Sequence, residues 1–226
     1  HYAATYGPIE IVNAILASPY CTTEVLSAKP YLGVTPLEAA AKMGNTEIVN
    51  AILASSYYTT EVLSAKGISK ETPLIVAAEK GHTEIVKAIL ASPYCTADVI
   101  STRSVGMNAL KHAAIRGYTE IAKAILKSPH CTTEMLLTGN SSSSVLFDAA
   151  IRGHTEIAKA ILKSPNLTTE MLLEKDDGGR TALMMAAGIA RTEIVKAILE
   201  SKYCTADVLS AQDYQGRTLL MFAAER

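Results

Sequence analysis

The chain contains no tryptophan, and only two phenylalanines and four cysteines occur among its 226 residues. Its formal net charge is −1, so the molecule has no overall attraction for polyanions, and we do not expect it to bind nucleic acid. No apolar run approaches the roughly 20 residues that span a bilayer, and the N-terminal residues lack the charged-then-apolar order of a signal peptide. We therefore expect a soluble, intracellular, cytoplasmic protein without membrane insertion.

Hydrophobic residues nevertheless make up 49% of the chain, whereas aromatic residues make up only 5%. Alanine, isoleucine and leucine dominate the hydrophobic residues. Small and aliphatic side chains favour helices that pack closely against one another. The composition predicts an all-α protein.

The pair Glu-Ile recurs along the whole chain at intervals of 36 or 37 residues, each time preceded by an Ala-Ala pair. The copies of the glutamate are Glu10, Glu47, Glu84, Glu120, Glu156 and Glu193. A period this regular predicts a repeat array rather than an ordinary globular layout.

This period makes residues 1–226 a single array of repeats. The approximate repeats are 1–34 (partial), 35–71, 72–107, 108–143, 144–180, 181–217 and 218–226 (partial). Because the chain begins and ends inside a first helix of a repeat, we expect it to be part of a longer array.

The sequence pattern of each repeat predicts a first helix, a tight turn and a second helix. Leu37, Ala40 and Ala41 have helical spacing, Gly44 allows the left-handed residue that ends a helix, and Thr46 is predicted to cap the second helix. A Ser-Pro step then ends that helix. The segment T-x-[DE]-[VM]-[LI], found for example at 22–26, predicts one further helical turn, and a variable polar connector follows it.

Two segments, TPLIVAAEKGHTEIVKAIL at 72–90 and RTALMMAAGIARTEIVKAIL at 180–199, resemble the ankyrin repeat. The resemblance covers essentially the whole chain. It implies a right-handed solenoid of antiparallel helix pairs with hairpin-like connectors. Repeats of 36 to 37 residues exceed the family's usual length of about 33, and we place the extra turn at S-P-x-C-T. The family's histidine in T-P-L-H is replaced in the interior repeats, for example by Glu38.

The sequence offers little support for catalysis or metal binding. The four cysteines Cys21, Cys95, Cys131 and Cys204 share one repeat position. Stacked repeats place such positions about 8 to 10 Å apart, too far for disulfide bonds, so we interpret these residues as packing. No catalytic or metal-binding motif occurs. We predict a non-enzymatic protein without cofactor or metal.

A row of lysines on the second helices could attract an acidic partner. Its members are Lys87, Lys123, Lys159 and Lys196, with Lys127 and Lys163 one turn further on. Each of the first four follows a glutamate by three residues, so we favour a solvated row of helix-surface ion pairs that aids solubility.

The resemblance implies that a partner protein meets the concave face, formed by first helices and connector tips. The positions most informative about partner binding are those whose residues differ between repeats, while the residues that form and pack the helices recur. On the first helices they are Tyr6, Met43, Lys80, His112, Ile115, Arg116, Ile151, Arg152 and Ile189, and in the connectors they are Tyr31, Ile68, Met107 and Tyr214.

We therefore predict a monomeric protein–protein interaction module whose partner the sequence does not identify. One alternative is a structural spacer that positions another domain, because TEIAKAILKSP occurs identically at 119–129 and 155–165. Another, resting on fold-level analogy alone, is the repeat part of an effector delivered into a host cell.

Overall fold

The structure, a computed structural model, describes residues 3–4, 7–29, 33–67, 70–137 and 143–225. These residues form helices joined by turns, and within them the only β-type pairing consists of isolated bridges in the connectors. The all-α fold is confirmed.

The chain divides into two compact units, and the helices are numbered along the chain. The first unit comprises residues 1–109 and 128–130 and the second comprises residues 110–127 and 131–226. The first contains α1 (Ile9–Leu16), α2 (Thr23–Ser27), α3 (Pro36–Met43), α4 (Thr46–Leu53), α5 (Thr60–Ser64), α6 (Pro73–Lys80), α7 (Thr83–Ala91) and α8 (Ala97–Ser101).

The second unit begins within the first turn of α9. It contains α9 (Ala109–Arg116), α10 (Thr119–Lys127), α11 (Thr133–Leu136), α12 (Val145–Arg152), α13 (Thr155–Leu162), α14 (Thr169–Leu173), α15 (Ala182–Gly188), α16 (Thr192–Leu199), α17 (Ala206–Ser210) and α18 (Leu219–Ala224). Each complete repeat thus supplies a first helix, a second helix and a short third helix.

Helix α3 ends at the glycine that the sequence predicts, and a threonine caps its start. At the start of α3, the Thr35 hydroxyl accepts a hydrogen bond from the N–H of Glu38 at 3.2 Å, and Pro36 occupies the first turn. Gly44 ends α3 with φ +75°, in the left-handed region that glycine adopts without a steric cost.

The prediction that a threonine caps each second helix is wrong. Thr46 is the first residue of α4, and the cap position falls one residue earlier on Asn45, which makes no side-chain cap hydrogen bond. The turn after Gly44 is so short that the helix has already begun at the threonine. The Thr46 hydroxyl instead donates to the carbonyl oxygen of Gly44 at 3.5 Å.

The predicted extra turn forms the short third helix. Threonines do cap these helices in the first unit, where the hydroxyls of Thr22, Thr59 and Thr96 each accept the N–H of the residue three positions on. Short helices pack on short helices, as α2 does on α5 and α14 on α17. The added residues therefore form a third row of helices beside the first and second.

Like helices also stack on like helices in the other two rows. First helix α3 packs on α6, and α12 packs on α15; second helix α4 packs on α1 and α7, and α13 packs on α10 and α16. The Ala-Ala pairs of α3 and α6 are fully buried, so these helices meet through methyl groups. This arrangement fixes the side chains on the remaining surfaces of the first helices.

One repeat departs from the glycine pattern. Ala190 stands where the preceding repeats carry Gly117 and Gly153, and its φ is +57°. An alanine in this region is strained because its Cβ crowds the backbone.

We expect Ala190→Gly to raise the free energy of unfolding by about 1 kcal/mol, because it relieves that strain. The matched control is Ala187→Gly, which lies in the last turn of α15 and should lower it by up to about 1 kcal/mol. Urea denaturation followed by far-ultraviolet circular dichroism measures both. Equal destabilisation by the two variants would contradict the account of Ala190.

Candidate functional site

The two residues after the Ala-Ala pairs of α3, α6, α9 and α12 occupy the last turn of those helices. In the first unit, 47% of the Met43 surface is exposed. Lys80 is also exposed, and its ammonium group lies 3.2 Å from the carboxylate of Glu79.

In the second unit these positions pair a half-buried isoleucine with an exposed arginine. Ile115 and Arg116 end α9, and Ile151 and Arg152 end α12 in the same arrangement. Ile189, just after α15, is half-buried as well. We call these five residues the helix-end surface.

Contacts on either side show that members of the helix-end surface are neighbours. Lys111 of α9 pairs with Asp148 of α12, with 3.2 Å between Nζ and Oδ2. Beyond the helix ends, a Cβ placed on Gly117 would lie 2.5 Å from the His154 ring. The residues between these two contacts, 115–116 and 151–152, therefore lie side by side.

A similar contact joins the next pair of repeats. A Cβ on Gly153 would lie 2.8 Å from Cζ of Arg191, and α12 packs on α15. Ile189 is thereby held next to Arg152. The helix-end surface is a continuous row across α9, α12 and α15.

His112 is also among the predicted contact residues, but only 8% of its surface is exposed. It lies on the side of α9 that faces the interior. Since a buried side chain offers no area to a partner, we leave His112 out of the helix-end surface. Tyr6, Tyr31 and Ile68 fall outside the residues that the structure describes.

The connector tips of the described residues include exposed apolar groups. Val105 is 90% exposed at a tip with φ +50°, and Met107, paired with Ser104 across the turn, is half-buried. Tyr214 is 74% exposed, and its ring lies over Gly179, where an added Cβ would come within 2.6 Å of Cδ1.

Two connectors of the second unit are hairpins closed by backbone bridges and side-chain hydrogen bonds. Oδ1 of Asp176 accepts the N–H groups of Gly178 and Arg180 at 3.0 and 2.8 Å, and its Oδ2 accepts the Arg180 side chain. Burial raises the pKa of Asp176, but these hydrogen bonds outweigh it and hold the pKa below its ordinary value. The hairpin of Asp213 and Arg217 repeats this geometry.

The four lysines that follow a glutamate by three residues lie near acids, as the sequence predicts. Lys87 lies 2.8 Å from Glu84, and Lys196 lies 3.1 Å from Glu193. Lys123 lies 3.9 Å from both Glu120 and Glu156. Exposed pairs of this kind contribute little to stability.

All four cysteines are free thiols. Cys21, Cys95 and Cys131 are buried, and Cys204 is half-buried. Burial raises the pKa of the Cys95 thiol to about 11, which keeps it protonated and unreactive. Tyr58, at the equivalent position of the preceding repeat, is buried and meets Tyr94 edge to face at 5.1 Å. This placement agrees with the packing role predicted for the cysteine position.

Residues 3–225, excluding their undescribed segments, hold no group of three or more His, Cys, Asp or Glu side chains placed to bind a metal ion. Nor does any helix in this part of the chain have the length and apolar character that crossing a bilayer demands.

A buried polar cluster joins α9 to α12, the two helices whose ends carry four of the five helix-end residues. Lys111 and Asp148 are both buried, Lys111 also donates to the carbonyl oxygen of Ser143, and the Ser143 hydroxyl lies 3.2 and 3.3 Å from the two Asp148 oxygens. Sequence reasoning missed this cluster. The signal was a lysine at 111, where other repeats carry Ile75 or Met184.

We expect Lys111→Met or Asp148→Asn alone to lower the free energy of unfolding by about 3 kcal/mol, since each leaves a buried polar partner unpaired. The double variant Lys111→Met/Asp148→Val should lose much less, because no buried charge remains. Urea denaturation of the single and double variants measures the coupling. Losses that simply add would contradict the pairing.

Comparisons with known proteins bear on the fold and the family. A family model described as ankyrin repeats (3 copies) matches residues 54–135 and 146–226, well over half of the chain. No curated protein matches the chain. The crystal structure of an ankyrin repeat protein is 26% identical, with a TM-score of 0.69, covering 86% of this chain and 92% of that chain.

Two further solved structures share the fold. The ankyrin repeat domain of Bcl-3, a member of the IkappaB family, is 18% identical with a TM-score of 0.74, covering 99% of this chain and 92% of that chain. A chain from the complex of a Bdellovibrio bacteriovorus predatory endopeptidase with an immunity protein is 23% identical with a TM-score of 0.67, covering 89% and 96%.

Proposed function

Because the chain belongs to the ankyrin repeat family, whose members generally bind proteins and are typically non-catalytic, we propose that it binds a partner protein through the helix-end surface and its exposed connector tips. The observation that carries the proposal is the continuous row of half-buried isoleucines and exposed arginines at the ends of α9 and α12 and just after α15. Apolar groups at the centre with arginine beside them are typical of protein interfaces.

Rigidity supports this function. The helix-end residues lie at the ends of helices that pack on neighbouring helices, and the Lys111–Asp148 pair joins α9 to α12. Side chains held in place before binding lose little conformational entropy when a partner docks. The hairpins at Asp176 and Asp213 hold Tyr214 in the same way.

The charge of the surface favours an acidic partner. Arg116 and Arg152 project from adjacent repeats, which lie about 10 Å apart. Carboxylates four residues apart on an extended segment lie on one face and are separated by about 13 Å, a span that two long arginine side chains can reach, so such a segment would meet both guanidinium groups. The apolar side chain between the carboxylates on that face would cover Ile115 and Ile151.

We further propose that the module acts inside the cell as a monomer. Its four cysteines are free thiols, as is usual in the reducing cytosol.

The second candidate function is a structural spacer. The identical segments 119–129 and 155–165 favour it, because a spacer needs no varied surface.

We expect the combined variant Ile115→Ser, Arg116→Ser, Ile151→Ser and Arg152→Ser to abolish partner binding, because it removes the centre of the surface, while the unfolding midpoint barely changes. Quantitative mass spectrometry of proteins captured on the immobilised wild-type chain, followed by calorimetry with the captured partner, measures this. The matched control replaces Lys87, Lys123, Lys159 and Lys196 by serine and should retain binding.

Two results would overturn the proposal. Full affinity in the helix-end variant would move the contact elsewhere, and loss of affinity in the lysine control would assign it to the second helices. Absence of any partner specific to the wild-type chain would favour the spacer.

A further inference from the structure

Glu38 is a buried acid at the position where the family has histidine. Only 2% of its surface is exposed, and acids are rarely buried so completely unless they are paired. Its backbone N–H donates to the Thr35 hydroxyl, and its carboxylate accepts the Thr35 N–H in return. This reciprocal pair forms a capping box at the start of α3. The second carboxylate oxygen, Oε2, has no hydrogen-bond partner.

The backbone of the next connector closes over this oxygen. A Cβ on Gly67 would lie 2.7 Å from Oε2 of Glu38, so water has no room to solvate the carboxylate from that side. An ionised carboxylate in such a place costs free energy, because neither water nor a hydrogen-bond donor compensates its charge.

The charged groups around Glu38 do not offset this cost. Burial, the largest effect, and the nearby Glu71 raise the pKa of Glu38, whereas the Thr35 N–H, Lys42 and Lys29 lower it, and the result is about 7. Helices α2, α4 and α6 pack against α3. The charged residues that they carry do not contribute to the pKa shift of Glu38; they are Glu24, Glu47, Glu79 and Lys80.

We propose that Glu38 is a built-in pH switch of the first compact unit: its buried carboxyl is protonated while α3 is packed, and its ionisation as the pH rises loosens the packing of α3 on α6. The device is independent of the proposed binding function. It is also local, since other repeats carry Ile75, Phe147 and Met184 at this position and Lys111 is paired with Asp148.

The direction of the effect follows from proton linkage. The ordinary pKa of 4.5 applies to the unfolded chain, and the folded value is about 7. Between these values the folded state holds a proton that the unfolded state has lost, so stability falls as the pH rises. The stabilisation is complete below pH 4.5, is lost progressively up to about pH 7, and changes no further above it.

Hydrogen exchange between pH 5 and pH 8, expressed as protection factors and thus corrected for intrinsic rates, tests the proposal on the full chain. In the wild type, amides of α3 and α6 should lose about 10- to 100-fold protection over this range. Glu38→Gln, which keeps the shape, and Glu38→Met, which copies residue 184, should both show a flat profile. Glu47→Gln, an exposed acid of the same repeat, should behave as wild type.

Amides of the second compact unit serve as the internal reference and should keep constant protection. A carbon-13 titration of the Glu38 carboxyl should have its midpoint near pH 7. A midpoint near 4.5, the same pH dependence in both Glu38 variants as in the wild type, or a wild-type profile without pH dependence would each overturn the proposal. Because none of these readouts involves a partner, they leave the binding proposal unaffected.

Discussion

Close approach of first helices through alanine pairs is the constraint on which the rest of the structure depends. The pairs at 40–41, 77–78 and 149–150 are fully buried, so no larger side chain separates one first helix from the next. With the spacing set in this way, the second and short helices stack in their own rows. The ends of the first helices and the connector tips are left to vary, and differences among repeats collect there.

The same constraint decides how polar groups behave inside the stack. At the family's histidine position, a side chain is enclosed by the next repeat and must be apolar or paired. Lys111 is paired with Asp148 across two repeats, whereas Glu38 retains one unpartnered oxygen. These two residues occupy one repeat position, yet the first braces the helix-end surface and the second makes its helix sensitive to pH.

Much of the fold could be predicted because its signals are local. The Ala-Ala pairs, Gly44 and the threonine of each T-x-[DE] segment mark helices within a few residues of themselves, and the structure confirms the helices that they predict. The capping box of Thr35 and Glu38 also has a local signal, the pattern T-x-x-E. The hairpins at 176 and 213 agree with the hairpin-like connectors that the family resemblance implies.

What could not be predicted depends on contacts between repeats. The burial of His112 and the pairing of Lys111 with Asp148 require knowing which side of a helix meets its neighbour, and one repeat read alone does not reveal it. The left-handed Ala190 has no sequence signal except the absence of glycine. Exposure of the helix-end arginines was predictable, whereas their arrangement in one row with Ile189 required the structure.

The most direct test of the central claim is a hydrogen-exchange footprint of the bound partner on the wild-type chain. The account predicts that binding slows exchange at the ends of α9, α12 and α15, with the second helices α10, α13 and α16 unchanged. Slowed exchange confined to those second helices, with the helix ends unaffected, would contradict it.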